Sequence, residues 1–253
     1  MDLLVGSSSE INALFDSKVF DTAKLTPVIQ RMLGFVSKDS IILDFFSGSA
    51  TTAHAVMKLN AEDGGYRKFI MVQLPEETDE KGEAYKAGYK NICEIGKERI
   101  RRAGAKIKEE NGMMAQNLDI GFRVLKLDSS NMKDVYYTPD EYEMNMFDML
   151  SDNIKEDRTP EDLLFQVMLD LGVLLSSKIE EEIIAGKKVF NVADGFLYAC
   201  FDNNVSEETI TAIAKKKPYY FVMRDSSMAN DSVATNFDQI FATDSPDTER
   251  KVL

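Results

Sequence analysis

A carboxylate followed by a turn of small residues is the feature of this chain with the clearest chemical meaning. Asp44 lies in the apolar run IILDFF, residues 41–46, and the small residues SGSA follow at positions 47–50. A carboxylate near the carboxyl end of a buried strand is costly unless something pairs with it, so Asp44 is a candidate ligand contact. Small residues let the backbone approach a ligand, and Thr51 or Thr52 can cap the helix that follows. The pattern indicates a cofactor site of the nucleotide type.

The turn differs from the two common phosphate-binding loops. No GxxxxGK[ST] sequence is present, so it is not a P-loop, and Gly48 is its only glycine, which weakens a dinucleotide site. A Rossmann dehydrogenase is disfavoured further because no acid or base suited to hydride transfer lies nearby. An acid beside such a turn suits a cofactor with a charged amino-acid end and an adenosine end, whose ribose would meet the end of the next strand. The motif alone leaves two alternatives, cofactor binding and local capping or pairing by Asp44.

The elements around the turn follow an alternating order of helix and strand. Apolar spacing predicts a helix over residues 25–35, a strand over 41–46 buried on both faces of a parallel sheet, and a helix from the threonines to about residue 59. A turn around Gly64 and Gly65, a strand over 68–74 stopped by Pro75, and one long helix over about 84–103 complete the first part. Arg99 belongs to a group of cations expected near the end of that helix, where they suit its dipole. This order indicates parallel strands with crossover helices.

Residues 109–117 are polar and form the predicted junction between two domains, 1–117 and 118–253. Beyond it we expect a strand over 122–127, a helix after the TPED cap at Thr159, and a hairpin of strands 188–192 and 196–201. A helix from Ser206, a strand over 219–223 and a helix over about 231–241 follow. The second part is therefore a smaller α/β unit.

Composition narrows the class of protein. The 253 residues carry a net charge of −13, and residues 121–253 hold 14 Lys and Arg against 25 Asp and Glu, so the second half is an unlikely nucleic-acid surface. Cys93 and Cys200 are far apart with one histidine in the chain, which argues against a metal site or a disulfide framework. No apolar stretch reaches the roughly 20 residues of a membrane span, and the start lacks a signal sequence. We expect a soluble cytoplasmic protein with no membrane contact.

Two further groups of residues are interpreted as structural and not catalytic. His54 has no Ser, Cys or acid placed beside it by the sequence, so a packed helix histidine is favoured over a catalytic base. The cluster of Tyr136, Tyr137 and Tyr142 sits among acids, which favours a subunit or domain contact over base stacking.

The chain resembles a known family over about residues 15–253. The segments LDFFSGSATTAHAV and RKFIMVQLPEETDEKGEAYKAGYKNICEIGKERIRRA are similar to the cofactor motifs of the modification (Mod) subunits of type III restriction-modification systems. KVFDTAKLTPVIQRML and several downstream segments, such as GKKVFNVADGFLYACFD, resemble further parts of that family. Those proteins are adenine-specific DNA methyltransferases that use S-adenosylmethionine. The resemblance implies a partial Rossmann-like methyltransferase core followed by an acidic α/β C-terminal domain.

The resemblance also implies which residues bind the cofactor. Phe20 and Lys24 match one motif, and Gln73 stands where many methyltransferases place the acid that binds the ribose, with Glu76 as a nearby substitute. Ala50 stands where a second glycine is common, and we expect it to have a negative φ. Phe45 and Phe46 are expected to be core residues first, and one of them can edge the adenine. The full set of candidate cofactor-binding residues is Phe20, Lys24, Asp44, Phe45, Phe46, Ser47, Gly48, Ser49, Thr51, Gln73 and Glu76.

The family's catalytic motif is not in this sequence. Amino-group methylation needs a motif such as Asp-Pro-Pro-Tyr, and none of the six prolines is adjacent to another. In the family this motif and the DNA-recognition domain come first, so the chain resembles the C-terminal portion of a longer protein and is expected to be inactive alone, with no catalytic residue of its own. The resemblance implies DNA contact through the missing portion, a Mod homodimer and a restriction (Res) subunit. The alternative is a noncatalytic assembly or dimerisation module.

Overall fold

The computed structural model describes residues 9–133 and 153–253, which form two compact units, Met1–Leu125 and Lys126–Leu253. The first unit contains α1 Ser9–Phe15, α2 Thr26–Leu33, β1 Ile41–Asp44, α3 Thr51–Asp63, β2 Lys68–Met71, α4 Glu83–Lys86 and α5 Ile92–Asn111. The second contains α6 Pro160–Asp170, β3 Ile179–Ile184, β4 Lys187–Val192, β5 Leu197–Cys200, α7 Glu207–Ala214, β6 Tyr220–Met223, α8 Asp231–Asp244 and β7 Glu249–Val252. No helix among the described residues has the length and apolarity needed to cross a membrane. The domain boundary after residue 117 stays a prediction.

Strands β1 and β2 are parallel, as predicted, with Ile42 beside Phe69 and Asp44 beside Met71. Ile42, Phe69 and Met71 pack against the helices, in clusters that include Val56 and Met57 of α3. The opposite face is open, since the side chains of Ile41, Leu43, Ile70, Val72 and Leu74 are exposed. The prediction of a strand buried on both faces is therefore wrong for this chain, because its described helices cover one face of the two-stranded sheet.

The long helix predicted over residues 84–103 is two helices. Gly88 has a left-handed φ of 95° and stops the helical conformation from continuing beyond α4. Asn91 then caps α5, its side chain accepting a hydrogen bond from the Glu94 N–H, and the Ile92 N–H bonds to the Glu76 carbonyl. Helix α5 continues to Asn111, so the first residues of the predicted junction are helical.

The second unit is a five-stranded mixed sheet in the order β3-β4-β5-β6-β7. Strands β3, β4 and β5 are antiparallel, which confirms the predicted hairpin, and β5, β6 and β7 are parallel. One apolar cluster packs α6 against the sheet and another packs α7 and α8. Thr159 and Asp162 form the capping box expected from the TPED sequence.

Three further predictions concern residues outside this sheet. Residues 122–127 have no regular structure, so the strand predicted there is wrong. The turn around Gly64 is confirmed, since Gly64 ends α3 with a φ of 67°. The tyrosine cluster at 136, 137 and 142 lies outside the described residues.

Candidate functional site

Asp44 ends β1 beside the amino-terminal end of α3. Its Oδ2 accepts a hydrogen bond of 2.5 Å from the Thr52 hydroxyl, and its carboxylate is partly exposed. Thr52 therefore fixes one carboxylate oxygen, and Oδ1 has no donor among the described contacts. A carboxylate held this way at the carboxyl end of a strand can accept hydrogen bonds from a cationic ligand group.

The turn between β1 and α3 is held by the strand beside it. The Ser47 N–H donates to the Val72 carbonyl at 3.1 Å, and the Ala50 N–H donates to the Ser47 carbonyl at 2.8 Å. Gly48, with a φ of 52°, donates its N–H to Gln73 Oε1 at 2.7 Å. The turn and Gln73, which were predicted to hold opposite ends of a cofactor, are thus joined by one hydrogen bond.

Ala50 corrects one expectation about the turn. Its φ of 59° and ψ of 40° place it in the left-handed region, where a negative φ was expected. Ala50 also occupies the cap position of α3 without a side-chain cap, so Thr51 and Thr52 do not cap the helix but lie within its first turn. Their hydroxyls bond instead to Arg99 and Asp44.

Phe45 and Phe46 are surface residues, which contradicts their expected place in the core. They are 62% and 73% exposed and contact each other edge to face, with ring centroids 5.2 Å apart. Both follow β1 directly, where the described helices do not cover the sheet. Two exposed rings beside Asp44 provide an apolar surface on which a flat ring can lie.

The remaining predicted residues divide into those near the turn and those away from it. The Phe20 ring lies 3.6 Å from where a Cβ on Gly48 would stand, so Phe20 packs against the turn. Cys93 donates its thiol hydrogen to the Gln73 carbonyl at 3.4 Å, and burial raises the pKa of this thiol. Lys24 and Glu76 have exposed side chains, and the described contacts do not place either against the turn.

Arg99 is the site residue that the sequence reasoning missed. It lies in the middle of α5 with 0% exposure, not near the helix end where it was expected to face the dipole. It bonds to Ser49 of the turn, to Thr51 at the start of α3 and to Glu10 of α1. Burial lowers its pKa to about 10, and the Glu10 carboxylate opposes that shift. Its spacing of four residues from both Ile95 and Ala103, which puts a cation on an apolar helix face, was the signal available in the sequence.

His54 is a packed helix residue, as expected. It is 7% exposed within α3, and its Nδ1 has no hydrogen-bond partner among the described residues. Burial lowers the pKa of His54 to about 4. The Glu10 carboxylate opposes this shift, and the Arg99 cation adds to it. The ring is therefore neutral at pH 7.

These features define an α/β protein with a turn of small residues, 47–50, at the carboxyl end of a parallel strand. The chain is 34% identical to the Type III restriction-modification enzyme EcoP15I Mod subunit of Escherichia coli over 206 residues, which are 79% of this chain and 30% of that protein. It is 48% identical to the StyLTI Mod subunit of Salmonella typhimurium over 115 residues, 45% of this chain and 17% of that protein. The chain belongs to the family of type III restriction-modification Mod subunits.

A relative outside the type III enzymes shares part of the chain. The Type II methyltransferase M.KpnI of Klebsiella pneumoniae is 43% identical over 90 residues, 35% of this chain and 22% of that protein. No protein-family model matches the chain. The chain spans between 17% and 30% of the length of these relatives.

Proposed function

We propose that this chain is the S-adenosylmethionine-binding part of a DNA adenine methyltransferase of the type III restriction-modification class. The observation that carries the proposal is the meeting of Asp44, Gly48 and Gln73 at one turn. The methyltransferase and Mod subunit relatives support it. In the longer protein the activity would be methyl transfer to the exocyclic amino group of adenine in DNA.

The residues present suit this cofactor in chemical type. A carboxylate at Asp44 can accept hydrogen bonds from the ammonium of the methionine portion. The Gln73 amide can bond to ribose hydroxyls, although its Oε1 already accepts from Gly48. Phe46 and Phe45 offer an apolar surface to the adenine. When bound, S-adenosylmethionine supplies an electrophilic methyl group.

We propose further that the first unit is part of a Rossmann-like core and lacks activity by itself. The parallel β1–β2 pair with α3 between the two strands is consistent with such a core. The sequence has no Asp-Pro-Pro-Tyr motif to orient a flipped base, and one face of the sheet is open and apolar. DNA and a restriction subunit would be partners of the longer protein, which would act as a Mod homodimer.

Calorimetric titration of S-adenosylmethionine, with NAD as a control ligand, tests the proposal. Asp44→Asn keeps an acceptor for Thr52 and removes the charge, so we expect affinity to fall by about tenfold or more. Asp39→Asn is the matched control, because Asp39 is exposed and its side chain accepts a hydrogen bond from Ser37. It should bind as the wild-type chain does.

Three results would change the proposal. Equal affinity in Asp44→Asn and the wild type would remove Asp44 from the site. Methyl transfer to DNA by this chain alone would show that it is not an incomplete enzyme. Absence of binding together with a dimer in sedimentation would favour the assembly module, for which the open apolar face of the β1–β2 sheet is the supporting observation.

A further inference from the structure

A buried guanidinium in α5 joins the turn of residues 47–50 to three other helices. Arg99 Nη1 donates to Ser49 Oγ at 3.0 Å and to Thr51 Oγ1 at 2.7 Å. Its Nη2 donates to Thr26 Oγ1 at 3.2 Å and to Glu10 Oε2 at 3.4 Å. Thr26 in turn donates to the same Glu10 oxygen at 2.5 Å. One side chain of α5 thus bonds to α1, α2, the turn and α3.

Two of the acceptors flank the residue of the turn that has the least favourable backbone conformation. Ser49 and Thr51 precede and follow Ala50, whose left-handed backbone conformation is one that alanine rarely adopts. Such a conformation persists where the surrounding structure determines it. Arg99 supplies two charge-assisted hydrogen bonds at that point, and charge-assisted bonds are stronger than neutral ones.

We propose that Arg99 is a positioning residue for cofactor binding. Since it has no solvent exposure, it does not touch the cofactor but sets the turn geometry through Ser49 and Thr51. That geometry directs the Gly48 amide, and Thr52 on the same helix turn holds Asp44. Glu10 is the counter-ion that makes burial of the guanidinium tolerable. The inference rests on the proposed function and adds the residue that shapes its site.

Arg99→Lys separates geometry from charge. A lysine keeps the positive charge opposite Glu10, but its compact ammonium does not span both pairs of acceptors as the planar guanidinium does. We expect S-adenosylmethionine affinity to fall by about tenfold in calorimetry, at a temperature where the variant is fully folded. In the ligand-free chain we expect faster hydrogen exchange at the amides of residues 48–51.

Arg67→Lys is the matched control. Arg67 is also buried in the first unit, at 6% exposure, and donates to Asp63 and Asn60 at the far end of α3. Its replacement removes a comparable bidentate interaction without touching the turn. We expect lower stability from Arg67→Lys with unchanged affinity and unchanged exchange at residues 48–51.

A second variant and a second readout keep the test decisive. Ser49→Ala removes one acceptor and leaves Arg99 bonded to Thr51 and Glu10, so it serves if Arg99→Lys does not fold. In the double variant, the fold-loss of affinity should be smaller than the product of the losses in Ser49→Ala and Arg99→Lys. Both substitutions remove the same hydrogen bond, the one between Arg99 and Ser49. Wild-type affinity and wild-type exchange in both variants would overturn the inference. If the wild-type chain binds no S-adenosylmethionine, the proposed function fails, and the exchange measurement alone decides the role of Arg99.

Discussion

His54 gives the chain a pH dependence that one substitution can isolate, because it is the single histidine in the sequence. Its pKa is about 4 in the folded chain and near 6.5 when unfolded, so the unfolded state binds the extra proton between those values. Stability is therefore fully present above pH 6.5 and falls as the pH is lowered toward 4. Between pH 7 and pH 5.5 the loss should be about 1 kcal/mol.

Urea unfolding of the wild type and of His54→Gln at both pH values measures this effect. Glutamine keeps a polar side chain at the position and does not titrate, so the variant should lose much less stability over the same interval. Carboxylates contribute equally to the pH dependence of stability in both proteins, so their contribution cancels when the variant is compared with the wild type. Parallel pH dependence in the two chains would show that His54 is not the group responsible.

Single residues also show where sequence reasoning about the site stops. Asp44 and Gly48 were predictable because a carboxylate at a strand end and a glycine in a turn each have a local physical meaning. Ala50 was not, since its left-handed conformation depends on contacts made by Arg99 with both neighbours. The exposure of Phe45 and Phe46 depends on which elements cover the sheet, and no local pattern reports that.

Helix α5 packs closely against the turn of residues 47–50 at Gly96. A Cβ placed there would stand 3.3 Å from the Gly48 carbonyl oxygen and 3.5 Å from the Ala50 Cβ, so the turn would have to move by a few tenths of an ångström. Gly96→Ala also gains about 1 kcal/mol of helix propensity, which offsets part of the strain. We expect stability within about 1 kcal/mol of wild type and S-adenosylmethionine affinity lower by about threefold or more.

Gly104→Ala on the same helix is the control for that measurement. Its Cβ would stand 2.9 Å from the Ile120 Cβ, closer than side chains normally approach, and Ile120 is not part of the turn. Overpacking of this kind costs about 1–3 kcal/mol, and the same helix-propensity gain of about 1 kcal/mol offsets part of it. This variant should therefore lose up to about 2 kcal/mol in urea unfolding and keep its affinity in calorimetry. A loss of affinity in Gly104→Ala equal to that in Gly96→Ala would contradict the assigned contact.

At the scale of elements, helices and strands with strong local sequence signals were predicted correctly, and those with weak signals were missed. Helices α2, α6 and α7 and the β4–β5 hairpin follow from apolar spacing, caps and a turn sequence. Strands β3 and β7, with sequences IEEEII and ERKV, are edge strands rich in charge, and neither sequence alternates apolar and polar residues. The break between α4 and α5 depends on backbone bonds such as Ile92 N–H to the Glu76 carbonyl, which join segments 16 residues apart.

At the scale of the whole chain, the two units differ in how completely they bury apolar surface. The five-stranded sheet of the second unit has an apolar cluster on each face. The two-stranded sheet of the first unit has helices on one face and exposed aliphatic side chains on the other. An exposed apolar sheet face of this kind marks a surface that another element covers. We expect that face to be buried in a protein of the length of the relatives.

Leu43 and Ile42 are adjacent residues of β1 that point to opposite faces, so together they test this expectation. Leu43 is 61% exposed, whereas Ile42 packs with Leu33 and Val56. In the 253-residue chain, Leu43→Lys should change the free energy of unfolding by less than about 1 kcal/mol, and Ile42→Lys should cost about 3 kcal/mol or more. Urea unfolding of both variants measures the contrast.

The same Leu43→Lys change should have a much larger consequence in a protein of the length of the relatives. In a longer protein that carries the catalytic motif of a relative, a lysine at position 43 would place an unpaired charge in a covered interface, at a cost of about 3 kcal/mol or more. We therefore expect Leu43→Lys to abolish methyl transfer there while leaving the 253-residue chain folded. Full activity of the longer variant would show that the face stays open, and the open face would then be available for assembly with another subunit.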